Sequence, residues 1–89
     1  MGKVLIKYKI MPESPSKNLK ELLESIKSKI EKEANFLNSE EQPIAFGLKS
    51  LIITISIDEN KETTSLENNI KNTEGVSSLD VIDYRRAIE

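Results

Sequence analysis

The sequence predicts an α+β fold in which a four-stranded antiparallel sheet carries two helices on one face. Three observations predict it: period-two alternation at the start of the chain, two segments with apolar residues at helical spacing, and a β-branched run, LIITISI, at residues 51–57. At 89 residues the chain is long enough for one modest core, so residues 1–89 are expected to form a single domain.

KVLIKYKIM sets Val4, Ile6, Tyr8 and Ile10 against Lys3, Leu5, Lys7 and Lys9, the pattern of a strand with one buried face. PESPSKN breaks that pattern, and Asn18 followed by Glu21 has the spacing of a capping box, which starts a helix near Leu19. Leu19, Leu22, Leu23, Ile26 and Ile30 then recur at helical spacing, while Lys20, Glu21, Glu24, Lys27, Lys29, Glu31 and Lys32 form a solvated face. The pairs Lys20–Glu24 and Lys27–Glu31 run lysine first, so each adds at most about 0.5 kcal/mol.

FLNSEEQPIAFG has no clean alternation, which leaves the limits of a second strand undefined, whereas Leu51, Ile53, Ile55 and Ile57 alternate with Ile52, Thr54 and Ser56 in a third. Pro43 is confined to an edge strand or a strand end. The bend between the two strands falls near Phe46 and Gly47. DENKE is a polar turn, and Thr64 with Glu67 again has capping-box spacing, leading into Leu66 and Ile70 before Glu74 and Gly75 close the segment. Asn68, Asn69 and Asn72 are poor helix formers, so packing of Leu66 and Ile70 must hold this helix. VSSLDVIDYRR supplies the last strand. The order is that of a ferredoxin-like βαββαβ sandwich, with Val4, Ile6, Ile10, Leu51, Ile53 and Ile55 meeting the helices.

Composition excludes more than it selects. Thirteen Lys and Arg against 15 Asp and Glu give a net charge of -2, with no broad pull toward nucleic acid or anionic lipid. The absence of cysteine and histidine removes disulfides, thiolate nucleophiles, imidazole bases and ordinary zinc sites. The glycines Gly2, Gly47 and Gly75 are isolated and form no phosphate loop. LIITISI carries no aromatic and only Tyr8 serves in the first strand, which disfavours base stacking. Asp58, Glu59 and Glu62 lack calcium-loop spacing, and no arginine before Arg85 is present for a phosphate cradle. No apolar run is long enough to span a bilayer, so a cytoplasmic protein is expected. The residues left over are Phe46 at its corner and Tyr84, Arg85 and Arg86 near the end, the types that anchor protein interfaces.

MPESP after the first strand, PIAFGLKSL at the bend and EGVSSLDVIDYRR at the end together resemble the archaeal elongation factor 1-beta family, over Lys3 to Arg86. IAFGLK followed by a β-rich strand also resembles the C-terminal exchange domain of the eukaryotic factor. The resemblance implies a guanine-nucleotide exchange factor for elongation factor 1-alpha, the translational GTPase, acting near its magnesium and phosphate site without covalent chemistry or cofactor. It further implies a protein that is monomeric when free and has no direct nucleic-acid or membrane partner. By the same resemblance Phe46 enters a pocket on the GTPase, with Ala45 and Gly47 leaving room for close approach. A lysine of the eukaryotic relative that disturbs the nucleotide site corresponds, counting from Asp80, to Arg86, with Arg85 and Lys49 as further cations able to share the role. Arginine keeps the charge but is planar and bulkier than an ammonium. A second reading stays open on the residues alone: a ferredoxin-like regulatory or small-ligand-binding module that pairs through Leu5 and Ile52 on its open sheet face. A third, a ribosome or tRNA contact through Lys3, Lys7 and Lys9, has only those strand-edge charges to support it.

Overall fold

Alternation in the first strand becomes a two-sided sheet in the computed structural model, which describes residues 2–14, 18–44 and 47–87. The elements run β1 (Lys3–Pro12), α1 (Leu19–Ile30), β2 (Asn35–Pro43), β3 (Lys49–Asp58), α2 (Thr64–Lys71) and β4 (Val76–Ala87). The strands lie in the order β2-β3-β1-β4, and every neighbouring pair is antiparallel. This is the ferredoxin-like arrangement, with β1 and β3 central and β2 and β4 at the edges.

The core forms where period two meets period 3.6. Val4, Ile6, Tyr8 and Ile10 of β1 and Leu51, Ile53, Ile55 and Ile57 of β3 are buried with Leu19, Leu22, Ile26 and Ile30 of α1 and Leu66 and Ile70 of α2. At about 1.5–3 kcal/mol for each fully buried aliphatic side chain, this cluster is what holds the Asn-rich α2 in place. Tyr8 belongs to the same helix-covered face, so its ring is not on offer for stacking; its hydroxyl donates to Glu67 Oε2 at 3.3 Å.

Asn18 caps α1 as its sequence position predicts, its Oδ1 accepting from Lys20 N–H at 2.9 Å and Glu21 N–H at 3.4 Å. The second capping box is not formed. The N-cap of α2 is Thr63 rather than Thr64, it sits in the helical region at φ -89°, and its side chain makes no capping bond. Glu67, the acidic half of the expected box, turns to Tyr8 instead. A buried phenol needs a partner more than an exposed helix end does. The helix also stops at Lys71, ahead of Glu74, and Gly75 takes φ +97° in the turn that starts β4.

β2 lacks alternation because it is an edge strand with an irregularity: its register on β3 shifts between Phe36 and Asn38, leaving Leu37 exposed. Pro43 is both on the edge strand and at its end. Phe36 packs against the core, and Lys27 Nζ, one of the helix charges expected to be merely solvated, lies 4.9 Å from its ring centroid.

Candidate partner-binding site

The described site residues expected from the sequence fall at two ends of the sheet. One end is the β2–β3 bend. Ile44 N–H donates to Leu48 O at 2.7 Å, closing the bend, and Gly47 takes φ +74°, a conformation that favours glycine. A Cβ added there would meet no heavy atom of the described residues within 4 Å, so among them it is the backbone conformation and not crowding that calls for glycine. Ala45 and Phe46 lie outside the described residues. Lys49 opens β3 just beyond, its Nζ 3.9 Å from Glu41 Oε1, a loose and exposed pair.

The other end is formed by the last residues of β4 beside the start of β1. Arg85 lies across from Leu5 and Arg86 across from Val4, while Val4 also lies across from Ile57. Lys49 is at the opposite end of β3, level with Pro12 by continuation of the Ile10–Leu51 register. Along β1, Val4 and Pro12 are separated by about 26 Å at roughly 3.3 Å per residue. The bend and the arginines therefore cannot meet at one point.

Residues directly opposite in an antiparallel pair share a face, which separates the two arginines. Arg85 is on the open face with Leu5, where its Nε is 3.0 Å from Asp83 Oδ2. It borders a shallow groove of about 260 Å³ with Lys7, Thr54 and Asp83. Arg86 is on the helix-layer side with Val4, its Nε 3.4 Å from Glu59 Oε2 in the turn after β3. Both guanidiniums are well exposed and both are paired through Nε, the inner nitrogen. Sequence reasoning missed both carboxylates. Asp83 was discoverable as the residue two before Arg85 on the same face, but Glu59 meets Arg86 only through long-range register.

Beside the arginines, β4 keeps Val81, Ile82 and Tyr84 about half exposed along the outer edge of the sheet, around a bulge where the register on β1 shifts between Lys7 and Tyr8. The open face is less apolar than Leu5 and Ile52 suggest. Ile52 is only 5% exposed, and its register neighbours are Lys9 and Glu40, whose aliphatic stems can shelter it. Among the described residues no three His, Cys, Asp or Glu side chains gather to hold a metal ion, and no helix is long and apolar enough to cross a membrane.

Comparison with known proteins gives this geometry a setting. The EF-1 guanine nucleotide exchange domain family matches residues 5–87, nearly the whole described fold. Elongation factor 1-beta of Saccharolobus solfataricus is 39% identical over 88 residues, covering 97% of each chain. Elongation factor 1-beta of Sulfolobus acidocaldarius is 40% identical over 85 residues, covering 93% of this chain and 94% of its own.

Proposed function

This chain belongs to the EF-1 guanine nucleotide exchange domain family, and from that premise we propose that it promotes exchange of GDP for GTP on elongation factor 1-alpha by docking through Phe46 and presenting Arg86 to the magnesium and phosphate region. The observation that carries the Arg86 role is positional: it is a cation at one end of the sheet whose side chain stays 77% exposed although its Nε pairs with Glu59.

The task needs no acid, base or nucleophile. GDP leaves such GTPases slowly because magnesium and a cradle of donors hold its phosphates. A protein that binds the nucleotide-free GTPase better than the loaded one weakens nucleotide affinity by the same factor, through reciprocal linkage. A guanidinium brought near the magnesium supplies part of that difference by like-charge repulsion. The bend supplies binding that does not depend on the nucleotide. Because the two ends of the sheet are far apart, anchor and cation contact separate places on the GTPase, so docking depends chiefly on Phe46 and disturbance of the nucleotide site on Arg86. Gly47, Ala45 and Lys49 support the contact at the bend, while Arg85, on the opposite face from Arg86, is at most a secondary cation.

The test is the release rate of a fluorescent GDP from elongation factor 1-alpha, with the wild-type chain and with Phe46→Ala and Arg86→Ala. Acceleration by the wild type that is lost in Phe46→Ala and reduced in Arg86→Ala is expected. An unchanged release rate with the wild type, where magnesium chelation does speed release, would overturn the reading.

A further inference from the structure

Three features of the free chain meet at one spot: the N-terminal backbone at Gly2, the turn after β3 and the end of β4. Glu59 N–H donates to Gly2 O at 3.1 Å, extending the β1–β3 ladder one step beyond Lys3–Asp58. The Glu59 carboxylate folds back over the same residue, so that a Cβ on Gly2 would lie 2.9 Å from Oε2 and 3.1 Å from Oε1. That oxygen, Oε2, is also the partner of Arg86 Nε at 3.4 Å. The two sides of the pair differ sharply in access: the Glu59 side chain is 30% exposed and that of Arg86 77%.

We infer that Glu59 is a positioning residue for Arg86, a fixed carboxylate that aims the guanidinium off the end of the sheet; this rests on the exchange reading of Arg86 given above. The reason lies in geometry and entropy rather than in pair strength. An arginine side chain left free on a strand end samples many rotamers and loses them when it docks. The Glu59 backbone is fixed by its bond to Gly2 O, and its carboxylate lies over that glycine, so it narrows the positions that Arg86 samples. It approaches Arg86 at Nε, the inner nitrogen, and the guanidinium remains exposed enough to meet an oxygen ligand on the partner. Gly2 matters for a spatial reason, since a Cβ there would come within 2.9–3.1 Å of the carboxylate atoms and push them aside.

The inference is tested by a double-mutant cycle on the GDP-release assay, with the full chain and elongation factor 1-alpha, at limiting and at saturating exchange factor. Glu59→Gln should reduce acceleration by about two- to fivefold at limiting concentration, the scale of an exposed ion pair, with a smaller effect at saturation. In an Arg86→Ala background the same substitution should have no effect. Gly2→Ala keeps every charge but displaces the carboxylate, and it should reproduce the Glu59→Gln loss. Equal effects of Glu59→Gln with and without Arg86, faster exchange by Glu59→Gln, or an unaffected Gly2→Ala would each overturn the positioning role. Failure of the wild type to accelerate release would instead overturn the exchange reading itself, and circular dichroism melts of each variant separate loss of fold from loss of aim.

Discussion

Arg85 and Arg86, adjacent in the chain, leave β4 on opposite faces of the sheet, one across from Leu5 and the other across from Val4. Each has its own carboxylate, Asp83 for Arg85 and Glu59 for Arg86. Two neighbouring cations of the same type thus address different surroundings, and a single flat partner surface at one face can engage only one of them closely.

The first prediction follows from that separation. Arg86→Ala should lower the acceleration of GDP release by about tenfold or more, the scale of an interface hot spot, while Arg85→Ala changes it by less than about twofold. Stopped-flow measurement on both variants decides it. Equal losses would mean that the partner reaches both faces, and a larger loss for Arg85 would move the cation role to the open face and its groove.

Tyr8 gives a prediction about stability and pH. Burial first, then the nearby Glu67 carboxylate, pushes its phenol well above the ordinary value of about 10. The native state therefore keeps its proton where the unfolded chain releases it. The sign is that of a raised group: the contribution is fully present below about pH 10 and is lost as pH rises through the higher native value. In a Tyr84→Phe background Tyr8 is the only tyrosine, and its tyrosinate absorbance should appear together with unfolding rather than before it. Tyr8→Phe should cost about 1 kcal/mol at neutral pH by urea denaturation with an unchanged m-value, and should flatten the alkaline decline.

Asn18 carries a simpler expectation. Its Oδ1 serves two N–H groups that the first turn of α1 leaves without helical partners. Asn18→Ala should destabilise the fold by about 1 kcal/mol, and Asn18→Asp or Asn18→Ser should restore most of it. Thr63→Ala at the start of α2 should cost less, because its side chain makes no capping bond.

How far the sequence reaches depends on whether one buried face decides an element. β1, α1 and β3 pack a full apolar stripe into the core, so their periods are written in the residue pattern. β2 packs Phe36 against the core but leaves most of its side chains exposed and shifts register at Leu37, and alternation is lost with the burial that would enforce it. The capping box expected at α2 is absent because Glu67 answers a buried hydroxyl from another element, which no local spacing reveals. The site divides in the same way. Gly47 and Arg86 stand out by type and by resemblance, whereas Glu59 comes beside Arg86 only because both strands run antiparallel to β1 and end beside its first residues.

Gly47 separates two explanations that the bend allows. Its φ of +74° calls for glycine in the free chain, yet the added Cβ would meet none of the described residues within 4 Å, so a partner that comes close is the source of crowding to test. Gly47→Ala should destabilise the fold by about 1–2 kcal/mol, the cost of a left-handed conformation for an L-residue with a Cβ. Gly47→Asn should recover much of that stability, because asparagine visits this region more readily. Exchange then tells the two explanations apart. If glycine serves the backbone alone, Gly47→Asn should accelerate GDP release as the wild type does once both are fully folded. If close approach to the GTPase also matters, the folded Asn variant should remain impaired, with weaker binding to the nucleotide-free GTPase by calorimetry. We expect the second result, since Phe46 can fill a pocket beside the bend only when the neighbouring backbone lies near the partner's surface.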